Sequence, residues 1–268
     1  MTAVLYEKKD QIAYVTLNRP DVHNAMDAEV VVRLAQVWED FAADDSLRVA
    51  IITGAGERAF SAGADLRKLI PLMSGARQPE DEWDERFMAD RALVNAALLR
   101  RFELYKPVIA AINGFCLAGG TELIQATDIR IAAKHATFGL TEVKRAIIPG
   151  AGSMVRLPRQ IPFCKAMEIL LVGDSMTAAE AHRIGLVNDV VPAAELMHTA
   201  EGFARKIAEN GPLAVRKIKE TVLKALGRPT DEGYALEDEA TRFIIRTEDA
   251  REGPRAFAEK RPPRYVGR

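Results

Sequence analysis

Val108-Ile109-Ala110-Ala111-Ile112-Asn113-Gly114-Phe115-Cys116-Leu117-Ala118-Gly119-Gly120-Thr121-Glu122 opens as an unbroken apolar run and closes on paired glycines followed by an acid. The run from Pro107 to Phe115 reads as a strand buried on both faces. Behind it, Gly119 and Gly120 leave backbone N–H groups uncovered at the start of a helix, where the partial positive charge favours an anion. Glu122 lies in that first turn. A second glutamate, Glu142, stands at the end of another short strand-like run, Ala136-Thr137-Phe138-Gly139-Leu140-Thr141-Glu142. Two nearby carboxyl groups can supply the base and the acid needed to add water across a double bond conjugated to a carbonyl. Spacing alone leaves a plainer alternative open, in which Glu122 is a dipole-favoured helix residue and Glu142 a surface carboxylate.

Upstream, residues 4–8 and 12–18 alternate apolar and polar around Lys9-Asp10-Gln11, the pattern of an antiparallel hairpin. Asp27 is placed to cap a helix reaching about Ala43, with Val30, Val31, Leu34, Val37, Trp38 and Phe41 on one face. Residues 48–54 read as a buried strand, and the following loop ends in Ser61-Ala62-Gly63-Ala64-Asp65-Leu66, small residues that can bring bare backbone against a ligand. Ala64 offers a second candidate N–H donor. Residues 67–86 are largely polar, contain Pro71, Gly75 and Pro79, and read as a mobile loop, either a lid or a plain surface insertion. A helix to Leu104 is expected next.

Downstream, 129–133 and 137–140 read as strands, Pro149-Gly150-Ala151-Gly152 as a turn, and Thr177-Ala178-Ala179-Glu180 as a capping box. Amphipathic helices are expected near 195–209, 213–226, 231–246 and 254–260, broken at Gly211-Pro212, Arg228-Pro229 and Gly253-Pro254. No repeat or linker interrupts the chain, so the expected organisation is a catalytic core over 1–194 and a helical region over 195–268.

With 268 residues, 48% of them apolar, the chain can bury a sizeable core. A net charge of −1 gives no general attraction to nucleic acid or anionic membrane, although the last stretch is locally basic. The cysteines, Cys116 and Cys164, lack metal or disulfide spacing, which points to reduced thiols and a cytoplasmic protein. No membrane-length apolar run and no signal-like start are present. His23, His135, His182 and His198 are scattered without zinc spacing, so no metal site is expected.

Two rivals fail on context. Gly54-Ala55-Gly56-Glu57-Arg58-Ala59 imitates a dinucleotide fingerprint, but Phe60-Ser61-Ala62-Gly63 intervenes where a helix should open, and no second strand follows around Trp83. Neither Ser61 nor Ser153 has the flanking glycines of a nucleophile elbow.

Taken in order, Asn18-Arg19-Pro20 with Asn24-Ala25, Phe60-Ser61-Ala62-Gly63-Ala64-Asp65-Leu66, Lys106-Pro107 through Asn113-Gly114, and Ile148-Pro149-Gly150-Ala151-Gly152 resemble the crotonase superfamily, the enoyl-CoA hydratase/isomerase family. The resemblance covers essentially the whole chain. It implies an α/β fold, a spiral of ββα units with a C-terminal helical trimerisation region, assembled as a homotrimer or a dimer of trimers. It also implies an acyl-CoA thioester as substrate, with coenzyme A part of that substrate and no separate cofactor. By the same resemblance, the N–H groups of Ala64 and Gly119 form an oxyanion hole, Glu122 and Glu142 act as base and acid, and Gly150 helps to place the water. Contacts to the CoA ester would come from Val22, His23, Ala25, Ala62, Asp65 and Leu66, and from Phe257 and Lys260 of the final helix. Glutamates at both positions favour a hydratase over a Δ3,Δ2-isomerase or a non-catalytic acyl-CoA-binding member. Thr121 and Ala118 stand where cysteine and glycine are frequent in the family. The ending Ala256-Phe257-Ala258-Glu259-Lys260-Arg261-Pro262 resembles the carnitinyl-CoA dehydratase branch.

Overall fold

A computed structural model describes residues 2–268. The expected hairpin is present: β1 (Val4–Lys9) pairs antiparallel with β2 (Ile12–Leu17). Asp10 and Gln11 make its turn with φ of 49° and 66°, the left-handed backbone that tight two-residue hairpins require. The chain then alternates between two sheets. β3 (Val49–Gly54) lies in one and β4 (Ala59–Ser61) in the other; β5 (Val108–Ile112) and β6 (Phe115–Leu117) repeat the step, as do β7 (Ile129–Ala133) and β8 (Thr137–Gly139). Strand β9 (Met176–Thr177) ends the small sheet, ordered β4-β6-β8-β9, and β10 (Asp189–Val191) ends the large one, ordered β1-β2-β3-β5-β7-β10. With helices after each strand pair, this is an α/β spiral of ββα units, as the resemblance implies.

The apolar run from Val108 to Leu117 is thus two strands with a corner between them. Asn113 holds the corner by donating from Nδ2 to the carbonyls of Gly54 and Gly56 at 2.9 and 2.8 Å. Only glycine fits next, because a Cβ at position 114 would stand 2.1 Å from the Arg58 carbonyl oxygen. The composition of β5 follows from its two covers. Val108, Ala110 and Ile112 face the interior cluster with Trp38, Phe41 and Phe138, while Ile109 and Ala111 face Leu196, Ala200, Ala204 and Ala208 on the opposite side. The helix Leu196–Ala208 therefore packs directly on the large sheet. Its alanines at four-residue spacing allow close approach.

The Asp27 cap is as expected: its side chain accepts from the Val30 N–H at 3.1 Å and opens the helix Ala28–Ala43. At Thr177 one half of the capping box forms, with Oγ1 accepting from the Glu180 N–H at 3.2 Å, while Glu180 turns to Arg183.

Three expectations are corrected. Residues 67–86 contain the helix Leu69–Ser74, and a second helix, Glu82–Ala89, begins within them under an Asp81 cap. Pro71 does not break the first because its missing N–H falls in the first turn, where donors are unpaired in any case. The expected helix to Leu104 shrinks to Leu93–Ala97, after which Leu99 and Arg101 take positive φ values of 50° and 58°. The expected break at Gly253-Pro254 is absent. The helix Glu248–Ala258 runs through it, anchored as Asp249 accepts from the N–H groups of Val266 and Gly267 at 2.7 and 2.9 Å, and Glu252 from Arg264 at 2.9 Å.

Candidate active site

Two loops that meet behind the small sheet carry the site. The first begins at Arg19, whose guanidinium pairs with Asp27 at 3.0 Å and Asp65 at 3.1 Å. His23 and Asn24 then adopt φ of 54° and 53°. Buried Asn24 donates from Nδ2 to the carbonyls of Ala55 and Ala59 at 3.0 and 2.7 Å, and accepts from the Arg19 N–H at 2.9 Å. This pins the chain at 62–65 amide by amide. Ala62 N–H donates to the His23 carbonyl at 2.9 Å, Gly63 N–H to Ser61 Oγ at 3.1 Å, and Asp65 N–H to the Met26 carbonyl at 2.8 Å. Among the described residues, the Ala64 N–H alone in this series has no acceptor.

The second loop supplies its counterpart. Ala118 N–H donates to the Gly139 carbonyl at 2.8 Å, and the helix Gly119–Ile124 follows with the Gly119 N–H as its first, unpaired donor. Ala118 itself has φ 49° and ψ −124°. Its ψ sets the plane of the peptide that carries the Gly119 N–H, so strain at a residue with a Cβ is used to aim a donor. The loops touch here. A Cβ built on Gly63, whose φ is 87°, would lie 2.7 Å from the Gly119 nitrogen, and one on Gly119 would lie 3.6 Å from the Ala64 nitrogen.

One turn further on, Glu122 is 4% exposed, and Oε1 accepts from Ala151 N–H at 2.8 Å and Ser153 N–H at 3.3 Å. Those amides begin the helix Ser153–Gln160, so the carboxylate occupies a helix N-terminus. Burial raises the affinity of Glu122 for a proton, while the Ser153 and Ala151 bonds and the nearby Arg156 favour its charged form. Glu142 begins a short 3-10 turn, Glu142–Arg145, just past β8, rather than ending the strand. It is 6% exposed, and its Oε2 is buried with no hydrogen-bond partner. Burial, seconded by the Glu122 charge, lifts its carboxyl from 4.5 to about 7. The two acids therefore differ in environment: one is cradled by two backbone donors from another segment, and the other keeps one buried oxygen without a partner.

Other expected residues fall around this centre unequally. Val22 and Leu66 present large exposed side chains, and the His23 ring packs edge-on to Phe115 at 6.0 Å. Ala25 is buried beneath them. Asp65 is turned inward, paired with Arg19 and accepting from the N–H groups of Arg67 and Lys68, so its carboxylate holds the loop. Gly150 offers its carbonyl to Arg100 at 2.8 Å. Phe257 is 87% exposed, and Lys260 is exposed just past the same helix; neither bonds to the glutamate cluster. Thr121 is buried, donating from Oγ1 to the Cys116 carbonyl at 2.5 Å with the Gly139 carbonyl also in reach at 3.1 Å, which ties β6 to β8. Ala151 and Ser153 had not been expected. They act through backbone N–H groups, for which the only sequence signal is the small-residue run before a helix.

The profile described as enoyl-CoA hydratase/isomerase matches residues 7–268. The chain is 38% identical to (E)-benzylidenesuccinyl-CoA hydratase of Thauera aromatica over 264 residues, covering 98% of this chain and 99% of that one. It is 41% identical to carnitinyl-CoA dehydratase of Proteus mirabilis over 264 residues, 97% of each. Among solved structures, the enoyl-CoA hydratase of Bacillus anthracis superposes with a TM-score of 0.90 at 38% identity, covering 99% of this chain and 100% of that one. A match along nearly the whole length, carried by both sequence and fold, means that the chain belongs to the enoyl-CoA hydratase/isomerase family of the crotonase superfamily.

Proposed function

We propose that the protein is an enoyl-CoA hydratase that interconverts a 2-trans-enoyl-CoA and a 3-hydroxyacyl-CoA. The observation that carries this reading is the pair of buried glutamates with opposite surroundings, beside two unpaired N–H groups. The thioester carbonyl oxygen accepts from Ala64 and Gly119. Glu122 takes a proton from water as the water oxygen bonds to C3. The C2–C3 π electrons move toward the carbonyl, giving an enolate whose oxygen the two amides stabilise; such a donor contributes on the order of 3 kcal/mol. Glu142, lifted to about 7 by burial and so largely protonated at slightly acid pH, delivers its proton to C2. The reverse direction exchanges the roles. One hydration leaves Glu122 protonated and Glu142 ionised, and loss of a proton from the first to solvent with uptake of one by the second restores the pair. Every step moves only protons and electron pairs, so the reading calls for no metal or redox cofactor.

Val22, His23, Ala25, Ala62 and Leu66 are proposed to line the entry for the CoA ester, with Asp65 shaping the loop and Gly150 near the water. Phe257 and Lys260 are proposed to reach a neighbouring subunit's site in a homotrimer or dimer of trimers. Exposed apolar residues on the C-terminal helices, among them Ile218, Val222, Phe243 and Ile245, support such an assembly. A cytoplasmic setting agrees with two free cysteines. Among the described residues, no helix is long and apolar enough to cross a membrane.

A screen of enoyl-CoA esters, from short linear to branched and crotonobetainyl, tests the reading by loss of absorbance from the conjugated double bond. Saturable hydration of at least one ester is expected. Failure on all, with Δ3 to Δ2 isomerisation present, would replace hydration with proton shuttling by one glutamate.

A further inference from the structure

Gln125 follows the helix that carries Glu122, is 2% exposed, and donates from Nε2 to Ser153 Oγ at 2.9 Å. Ser153 is fully buried; its N–H donates to Glu122 Oε1 at 3.3 Å, and its hydroxyl is one of the groups favouring the charged form of that carboxylate. A hydroxyl has one proton to give. With an oxygen lone pair engaged by the Gln125 amide, that proton is left for an acceptor other than Gln125, and Glu122 is the acid beside it. We propose that Gln125 is a positioning residue, which by donating to Ser153 Oγ turns the Ser153 hydroxyl proton toward the Glu122 carboxylate. The deduction rests on the reading of Glu122 as the catalytic base only for its effect on rate.

The orientation of the Gln125 amide decides the matter, since the reverse orientation would draw the Ser153 proton to itself. Its surroundings favour the one described. With Nε2 on Ser153, the amide oxygen Oε1 is left buried and without a partner. In the reverse orientation the NH₂ group would take that partnerless position, and a buried donor without an acceptor is rarer in folded proteins than a buried acceptor without a donor. The backbone of Gln125 is also fixed, its carbonyl accepting from Gln160 Nε2 at 2.8 Å. The charged groups facing the site are Arg156 and Glu142 beside Glu122, with Arg145 beside Glu142 and Arg100 beside Arg156. An apolar replacement of Gln125 leaves all four in place.

The test is the titration of Glu122 in the folded protein by carbon-13 NMR of glutamate carboxyls, with its resonance identified by loss in Glu122→Gln. Gln125→Met and Ser153→Ala should each raise the Glu122 midpoint by about one pH unit. The double variant should match Ser153→Ala alone, because Gln125 acts through Ser153. An unmoved midpoint in Gln125→Met, or additive shifts in the double variant, would overturn the proposal; a merely structural role would lower the urea midpoint and leave the titration where it was. Gln125→Leu serves if Gln125→Met does not fold. No substrate is needed. A raised carboxyl midpoint without a matching move in the acid limb of kcat/KM would count against Glu122 as base, and leave the positioning by Gln125 standing.

Discussion

At single residues, the same chemical group meets two opposite surroundings. Glu122 has two backbone donors on one oxygen, whereas Glu142 Oε2 has none, a difference on which the proposed assignment of base and acid rests. A pH dependence of stability follows. Because the folded Glu142 carboxyl titrates near 7 rather than 4.5, the folded chain keeps a proton that the unfolded chain loses between those values. Stability must therefore fall as pH rises through that window, by the linkage between proton uptake and folding. Glu142→Gln cannot ionise, so from pH 4.5 to pH 8 it should lose less stability than the parent chain, by on the order of 2 kcal/mol, read by urea unfolding at both values. Ala118 provides a second test. Its φ of 49° is one that glycine adopts without a steric penalty, so Ala118→Gly should raise unfolding free energy by about 0.5 to 1 kcal/mol. Thermal and urea unfolding of the variant check this. The glutamates were visible in the sequence through the glycines before Glu122. The amides of Ala151 and Ser153 were not, because a backbone donor has no side-chain signature, and neither was the inward turn of Asp65 toward Arg19, 46 positions away in the chain.

Among the elements, sequence patterns were legible where burial has a period and illegible where fixed contacts replace it. Strand β5 declared itself because both of its faces are covered, and the helix Ala28–Ala43 because Asp27 and one apolar face mark it. The insertion over 67–86 has no such period. Its order comes from the Asp81 cap, from Arg77 pairing with Asp84, and from Trp83 stacked under Arg33 at 4.4 Å and near Arg86 at 5.3 Å. Asp84 is also held by the Glu80 N–H at 3.1 Å. Asp84→Asn should loosen this segment locally by about 2 kcal/mol, equal to roughly thirtyfold faster amide hydrogen exchange across residues 69–89. Exchange in β5 should be unchanged. Equal acceleration in both would show that the insertion does not open as a separate unit.

For the whole molecule, two unequal faces explain the helical end of the chain. Leu196–Ala208 is absorbed into the core of the large sheet, whereas Pro212–Ala225 and Thr230–Ile244 have no buried residues and leave Ile218, Val222, Leu226, Tyr234 and Phe243 exposed. Helices with apolar residues on an open face are expected to find that cover in another subunit. Sedimentation should give three or six times the chain mass of 29.5 kDa, and a monomer at micromolar concentration would remove the proposed reach of Phe257 and Lys260 into a neighbour. The proposed chemistry is narrower than the assembly: both glutamates move protons in one hydration. Its most direct test is turnover of the best enoyl-CoA ester by Glu122→Gln and Glu142→Gln, with CoA-ester affinity measured alongside. Each variant should lose about 10²- to 10⁴-fold in kcat with affinity largely retained. Near-parent kcat in either one would contradict the two-carboxylate mechanism.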